Sequence, residues 1–340
     1  MRQFSELSGA GQLRRLTNLA RLALRDYGLE GAPLRRPLHG FNTSFRVDAP
    51  SGAHYLLRIH RPDRNSPAEI RSELAWLAAL QREMKGRVPA PVPTLAGEPM
   101  AVVEGAGVPG PRVCVLLSWL PGRFLDDGLT PRHLEQVGEL MARLHLHAAA
   151  FERPPGFTRR RVDTITSLAH HLPDHFSDAV ITHAAELIDM SHGARGASVV
   201  VEAFERAREA REQLGDSPGR WGLIHADLHQ ENYLFHRGAV AAIDFDDCGF
   251  GHYVYDVAVT MSELSHRPDE PELRAGLLRG YRSVRPFSPE EEALIDTFIA
   301  LRDLQLMFWF IEERHTPAFR DSWRDDVTRI LGAVERRLAS

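Results

Sequence analysis

The apolar pattern of this 340-residue chain changes character at Ser118-Trp119-Leu120-Pro121-Gly122. Before that point, short runs with strand character at 41–47, 54–59, 100–103 and 113–117 are separated by turn chemistry. Asp48-Ala49-Pro50-Ser51-Gly52 makes the first two a hairpin. Beyond it, apolar residues recur at helical spacing over 130–150, 164–214 with interruptions, 257–264, 271–284 and 289–338. The pattern predicts an α+β chain in two lobes, a small, mainly β one over 1–118 and a larger, mainly helical one over 123–340, joined at 119–122.

Two helices are expected within the first lobe. Residues 12–27 repeat Leu13, Leu16, Leu19 and Leu24 on one face, with Gly28 as a stop signal. The longer one spans 67–85, where Ser66 is placed as N-cap, Glu69 completes a capping box, and Ile70, Leu74, Leu77 and Leu80 share a face.

Composition narrows the function. A formal charge of -5 provides no basic field for nucleic acid, and no apolar run is long enough to cross a bilayer. The first eleven residues lack the apolar core of a secretion signal, and the two cysteines, Cys114 and Cys248, form neither a disulfide framework nor a CxxC metal site. A cytoplasmic enzyme with neither nucleic acid nor membrane as partner is the expectation.

The helical half is interrupted by one β-rich block, 222–247, which holds the densest set of unusual polar residues. In His225-Ala226-Asp227-Leu228-His229-Gln230-Glu231-Asn232, an acid and an amide stand five residues apart on a loop before a strand. A second strand then delivers Ile243-Asp244-Phe245-Asp246. Phosphoryl transfer from ATP needs a carboxylate to orient the attacking hydroxyl and oxygen ligands to hold Mg²⁺, and Asp227, Asn232 and Asp244 supply those groups in order. The spacing matches the protein-kinase catalytic loop, with Asp-Phe-Asp where protein kinases carry Asp-Phe-Gly. Alone, a loop acid and amide serve equally well as turn formers.

The hairpin's second strand carries Arg58 and the following helix carries Glu73, the cation and acid that a kinase fold pairs to position phosphates. Arg58 stands where a Lys is usual, and its bland alternative is a surface Arg on a strand. The turn His39-Gly40-Phe41-Asn42-Thr43-Ser44 is poor in glycine, so Asn42, Thr43 and Ser44 are the candidate phosphate donors there.

With these pieces in order, the chain resembles the aminoglycoside phosphotransferase and choline kinase superfamily, whose members read His-Gly-Asp-x-x-x-x-Asn and then Ile-Asp-Phe. Ala226 replaces the Gly here. Arg61-Pro62 and Asp246-Asp247 resemble segments of stress response kinase A, and homoserine kinase-like enzymes show similar ones. The resemblance implies a protein-kinase-like two-lobed fold with ATP and Mg²⁺ as cofactors. It implies Asp227 as catalytic base, Asn232 and Asp244 as metal ligands, Arg58 as the phosphate contact with Glu73 as its partner, Ser118, Trp119 and Leu120 as the adenine hinge, and Asp256 as a buttress of the catalytic loop.

The acceptor implied is a hydroxyl of a small molecule: an amino alcohol, sugar, aminoglycoside or homoserine-like compound. A protein Ser/Thr kinase and a non-catalytic nucleotide-binding regulator are the alternatives. Among seventeen histidines, the pairs His225 with His229, His145 with His147 and His170 with His171 lack the further ligands that zinc requires. Phe298, Phe308, Trp309 and Phe310 read as core or acceptor pocket, Asp303, Glu312 and Glu313 as solvated charge or amine contacts, and Arg159-Arg160-Arg161 as a solvated loop. No motif fixes the acceptor or the oligomeric state.

Overall fold

The computed structural model describes residues 3–40, 42–62, 64–125, 128–164, 176–316 and 319–339. Phe41, the pair His170-His171 and residues 165–175 of the expected helical stretch lie outside the described residues. The chain begins with α1 (Gly9–Asp26), β1 (Leu34–His39), β2 (Thr43–Asp48), β3 (His54–Ile59), α2 (Pro67–Glu83), β4 (Pro91–Val92), β5 (Ala101–Val103) and β6 (Arg112–Ser118). Next come α3 (Pro131–Ala150), α4 (Asp178–Leu214), β7 (Trp221–Ile224), β8 (Tyr233–His236), β9 (Ala239–Ala242) and β10 (Gly249–His252). The helices α5 (Tyr253–Ser262), α6 (Glu270–Arg282), α7 (Pro289–Ala293), α8 (Ile295–Glu312) and α9 (Trp323–Leu338) complete it.

These elements divide into two compact units. The first comprises Met1–Arg123 with two later segments, Phe151–Arg159 and His236–Asp246. Its antiparallel sheet runs β1-β2-β3-β6-β4, with β5 also on β6. On β3 the alternation of side chains sends Leu57 and Ile59 into a core with Leu16, Leu19 and Leu24 of α1 and turns Arg58 to the opposite face. Tyr27, at the end of α1, ties that helix to the sheet: its hydroxyl donates to Cys114 O at 2.8 Å and accepts from Ala101 N at 3.2 Å. Each such buried apolar side chain contributes roughly 1.5–3 kcal/mol.

Helix α2 starts at the expected capping box, in which Ser66 Oγ accepts from Glu69 N and Glu69 Oε2 accepts from Ser66 N. Ile70, Leu74, Leu77 and Leu80 are buried as the spacing predicts, and Glu73 is buried among them. A charge so placed needs a partner. Strand β1 was not anticipated: it is an exposed edge strand containing Arg35, Arg36 and Pro37, with an irregular register between Arg35 and Leu38. A polar, proline-bearing edge carries no alternation to read.

The second unit comprises Phe124–Ala150, Arg160–Phe235 and Asp247–Ser340. Helices α3 and α6 approach so closely that a Cβ on Gly138 would stand 2.0 Å from Leu277 O, and one on Gly280 would stand 1.8 Å from Glu135 O. Only glycine permits this contact. Strand β7 pairs antiparallel with β10, which the sequence reading did not anticipate. The chain then enters α5, buried from Tyr253 to Met261, with Asp256 and Thr260 as its polar members.

The stretch expected to be helical over 289–338 resolves into α7, α8 and α9, the first starting from a second capping box at Ser288 and Glu291. Among the described residues, no helix is long and apolar enough to cross a membrane.

Candidate active site

In the first unit, the side of β3 that faces away from the α1 core gathers charge. Arg58 is buried, and its Nη1 donates to Glu73 Oε1 at 3.1 Å while Nη2 donates to Asp244 Oδ1 at 2.6 Å. Asp246 Oδ1 lies 3.7 Å from Nη1. The sequence-predicted pair Arg58 and Glu73 is therefore formed, and Asp244 joins it.

Burial opposes the charge on Arg58, but Asp244, Glu73 and Asp246 hold it charged. One guanidinium divided among three carboxylates gives none of them full compensation. Burial accordingly pushes the Glu73 carboxyl up to about 7 in spite of Arg58.

Asp244, two residues past β9, sits in the left-handed region at φ 62°, and its side chain is half exposed. His60, Glu73 and Asp246 also bring ligand atoms within 4.8 Å of one another. Arg58 already supplies the positive charge at that cluster.

Asp246 is an assembly point that the motif alone does not reveal. It accepts from Asn42 Nδ2 at 2.8 Å and Asn65 Nδ2 at 3.1 Å, and its main-chain oxygen accepts from Arg159 Nη2 at 2.6 Å. Asn42, expected as a phosphate donor, thus gives its amide hydrogens to Asp246, while its Oδ1 accepts from Arg61 N at 3.0 Å. Thr43 Oγ1 is 2.8 Å from His39 Nδ1, and Ser44 lies opposite Arg58 in the β2–β3 ladder.

At the expected adenine hinge, Ser118 N donates to Ala90 O, Trp119 N donates to His54 O, and Leu120 follows β6. The tract Arg159-Arg160-Arg161 is not the solvated loop expected. Arg159 is buried, and Arg160 and Arg161 pair with Asp247 and Asp163 at 3.0 and 2.7 Å.

In the second unit, β7 leads into the loop that holds Asp227. Asn232 Nδ2 donates to Asp227 Oδ2 at 2.9 Å and to Asp227 O at 2.8 Å, so the acid and amide five residues apart are brought together. Asn232 spends its donors on Asp227, which leaves its amide oxygen as the atom able to ligate.

The loop is held from α5. Asp256 accepts from His225 N at 3.0 Å and Ala226 N at 2.6 Å, and Thr260 Oγ1 donates to Leu228 O at 2.6 Å. Asp256 in turn is bound by His145 Nε2 at 2.9 Å, and His145 Nδ1 lies 2.8 Å from the Tyr281 hydroxyl. This frame holds Ala226 at φ 69°, a conformation that glycine adopts more readily.

Asp227 has a further partner. Arg302 of α8 donates from Nη2 to Oδ1 at 2.5 Å, and His229 Nε2 lies 3.5 Å from Oδ2. Burial works to raise the Asp227 carboxyl, but Arg302 and then His229 hold it below the usual carboxylate value. Nothing in the local sequence sets Arg302 apart from other helix arginines, so sequence reasoning missed it. On the same helix, Phe298 and Phe308 are core, whereas Trp309 and Phe310 are half-buried and pack against Phe319. Asp303 is paired with Arg337 at 3.6 Å and is pushed up to about 6 by burial.

The profile of the APH phosphotransferase enzyme family matches residues 34–294. The chain belongs to that family. A microcompartment-associated aminopropanol kinase has a similar structure, with a TM-score of 0.79 at 32% identity, over 95% of this chain and 98% of the other. An uncharacterized protein of Deinococcus radiodurans is 31% identical, covering 87% of this chain and 80% of the relative. The homoserine kinase of Methylobacillus flagellatus is 27% identical, over 79% of this chain and 75% of the relative.

The family's kinase-like α+β fold is the one the sequence predicts, with a small sheet-based unit and a larger helical one. The chain is accordingly an enzyme, a phosphotransferase.

Proposed function

We propose that this phosphotransferase moves the γ-phosphate of ATP to a hydroxyl of a small amino alcohol or hydroxy amino acid, with Asp227 as its catalytic base. The observation that carries the reading is the clasp of Asp227 by Asn232, which joins an orienting carboxylate to an amide oxygen able to bind a metal. The acceptor class is supported by the names of two relatives, since aminopropanol and homoserine each carry a hydroxyl and an amine.

In this mechanism Asp227 accepts a hydrogen bond from the acceptor hydroxyl, aims its oxygen at the γ-phosphorus, and takes the proton as the new P–O bond forms. Its depressed basicity suits a role in which orientation comes first and proton transfer late. Arg58 contacts the phosphates and is held for that task by Glu73. Asn42, Thr43 and Ser44 lie along the phosphate side, and Ser118, Trp119 and Leu120 along the adenine edge. Asn232 and Asp244 would hold Mg²⁺, for which oxygen donors of this kind are suited, and the ion would neutralise charge on the phosphates. Attack is direct, with no covalent enzyme intermediate.

The test is an ADP-release screen with ATP and Mg²⁺ over 1-amino-2-propanol, L-homoserine, ethanolamine, a sugar, an aminoglycoside and a generic protein, with Asp227→Asn as control. Release with an amino alcohol or homoserine, lost in the control while nucleotide binding persists, is the expected result. Equal turnover in the control would overturn the base assignment, and phosphate appearing in the protein alone would overturn the acceptor class.

A further inference from the structure

Helix α8 delivers to Asp227 a cation that the catalytic-loop sequence does not contain. Arg302 Nη2 meets Oδ1 at 2.5 Å, while Oδ2 accepts from Asn232 at 2.9 Å, so each carboxylate oxygen is held from a different side. The turn of α8 that carries Arg302 is itself anchored: Gln305, less than one turn further along, accepts from the Tyr255 hydroxyl of α5 and donates to Val162 O at 2.8 Å.

The surrounding charge explains why a cation stands there. Asp227 has Asp247 nearby, and Glu263, just past α5, acts on both Arg302 and His229. Without Arg302 the carboxylate would be partly buried among like charges, with His229 as its neighbouring cation at best.

We propose that Arg302 is a positioning residue for Asp227: by holding Oδ1 it fixes the plane of the carboxylate, so that Oδ2, clasped by Asn232, faces the acceptor hydroxyl in one orientation. The inference rests on the phosphotransfer role proposed for Asp227. A bidentate-capable, permanently charged guanidinium suits the task because it holds direction as well as charge.

The test compares full-length wild type, Arg302→Gln and Arg302→Lys in steady-state kinetics and in crystal structures. With 1-amino-2-propanol or L-homoserine as acceptor, Arg302→Gln is expected to lower kcat by about 100-fold, with the KM for ATP unchanged. Arg302→Lys restores part of that loss, and in the Arg302→Gln crystal the Asp227 carboxylate is expected to turn out of the plane it holds in wild type.

A merely structural role would lower the melting temperature and leave both kcat of the folded enzyme and the carboxylate plane as in wild type, and that result overturns the proposal. Should Arg302→Gln not fold, Arg302→Lys, which keeps charge and loses the fork, carries the same comparison. The crystallographic comparison needs no acceptor. If wild type phosphorylates neither compound, the proposed function fails by itself and the carboxylate plane still decides the role of Arg302.

Discussion

Arg58 Nη2 donates to Asp244 Oδ1 across 2.6 Å, and the other arm of the same guanidinium reaches Glu73 at 3.1 Å. A lysine ammonium on this strand is a point charge that can serve one of these carboxylates well but not span both. Arg58→Lys is therefore expected to raise the KM for ATP by roughly tenfold, equivalent to about 1.4 kcal/mol. Calorimetric titration with a non-hydrolysable ATP analogue checks this, and unchanged affinity would show that the fork is dispensable.

Glu73 links stability to pH. Its carboxyl rises from an ordinary 4.5 to about 7 because burial outweighs the share of Arg58 it receives. Between those values the folded protein binds a proton that the unfolded chain does not. The stability from this group is full below 4.5 and is lost as pH rises through about 7. Urea unfolding is expected to show wild type losing about 1–3 kcal/mol relative to Glu73→Gln, which mimics the protonated carboxyl at every pH, as pH rises through that window. A pH-independent difference would mean that Glu73 is ionised throughout.

Ala226 occupies a left-handed conformation at φ 69° because Asp256 accepts from its N–H and from that of His225. Ala226→Gly removes the Cβ penalty at the cost of a more flexible unfolded chain. A net stabilisation of about 0.5–1 kcal/mol is expected, with transfer activity retained. Thermal unfolding followed by the ADP-release assay tests both parts.

Gly280→Ala places a methyl group 1.8 Å from Glu135 O, where no rotation of the side chain gives relief. The α3–α6 contact must open, at about 1–3 kcal/mol or more. Because α3 carries His145, which supports Asp256, the loss is expected to reach the catalytic loop as lower kcat, read by the same assay beside a denaturant melt.

Much of this was legible because local chemistry and tertiary packing agree. The capping box at Ser66 and Glu69 starts α2 where the sequence places it, and the turn at 48–52 closes the β2–β3 hairpin. The pair Arg58 and Glu73 could be anticipated because a kinase fold pairs a cation on this strand with an acid on the helix that follows. Strand β1 was silent, since its residues are polar and one is proline.

Arg302 was silent for another reason: its partner is 75 positions away, and helical spacing says nothing about which carboxylate a half-buried arginine will meet. Asp246 lay in view in the motif, yet its ties to Asn42, Asn65 and Arg159 exist only once distant segments are folded together.

The loop that holds Asp227 is gripped by α5 through main-chain atoms, at the N–H groups of His225 and Ala226 and the carbonyl of Leu228. A grip of that kind does not inspect the side chains that pass through it. Gln230 and Glu231, which take no part in the grip, are accordingly free to mutate without altering the loop's course. The tolerance lies in the backbone: substitution at these two positions is expected to leave Asp227 where α5 puts it.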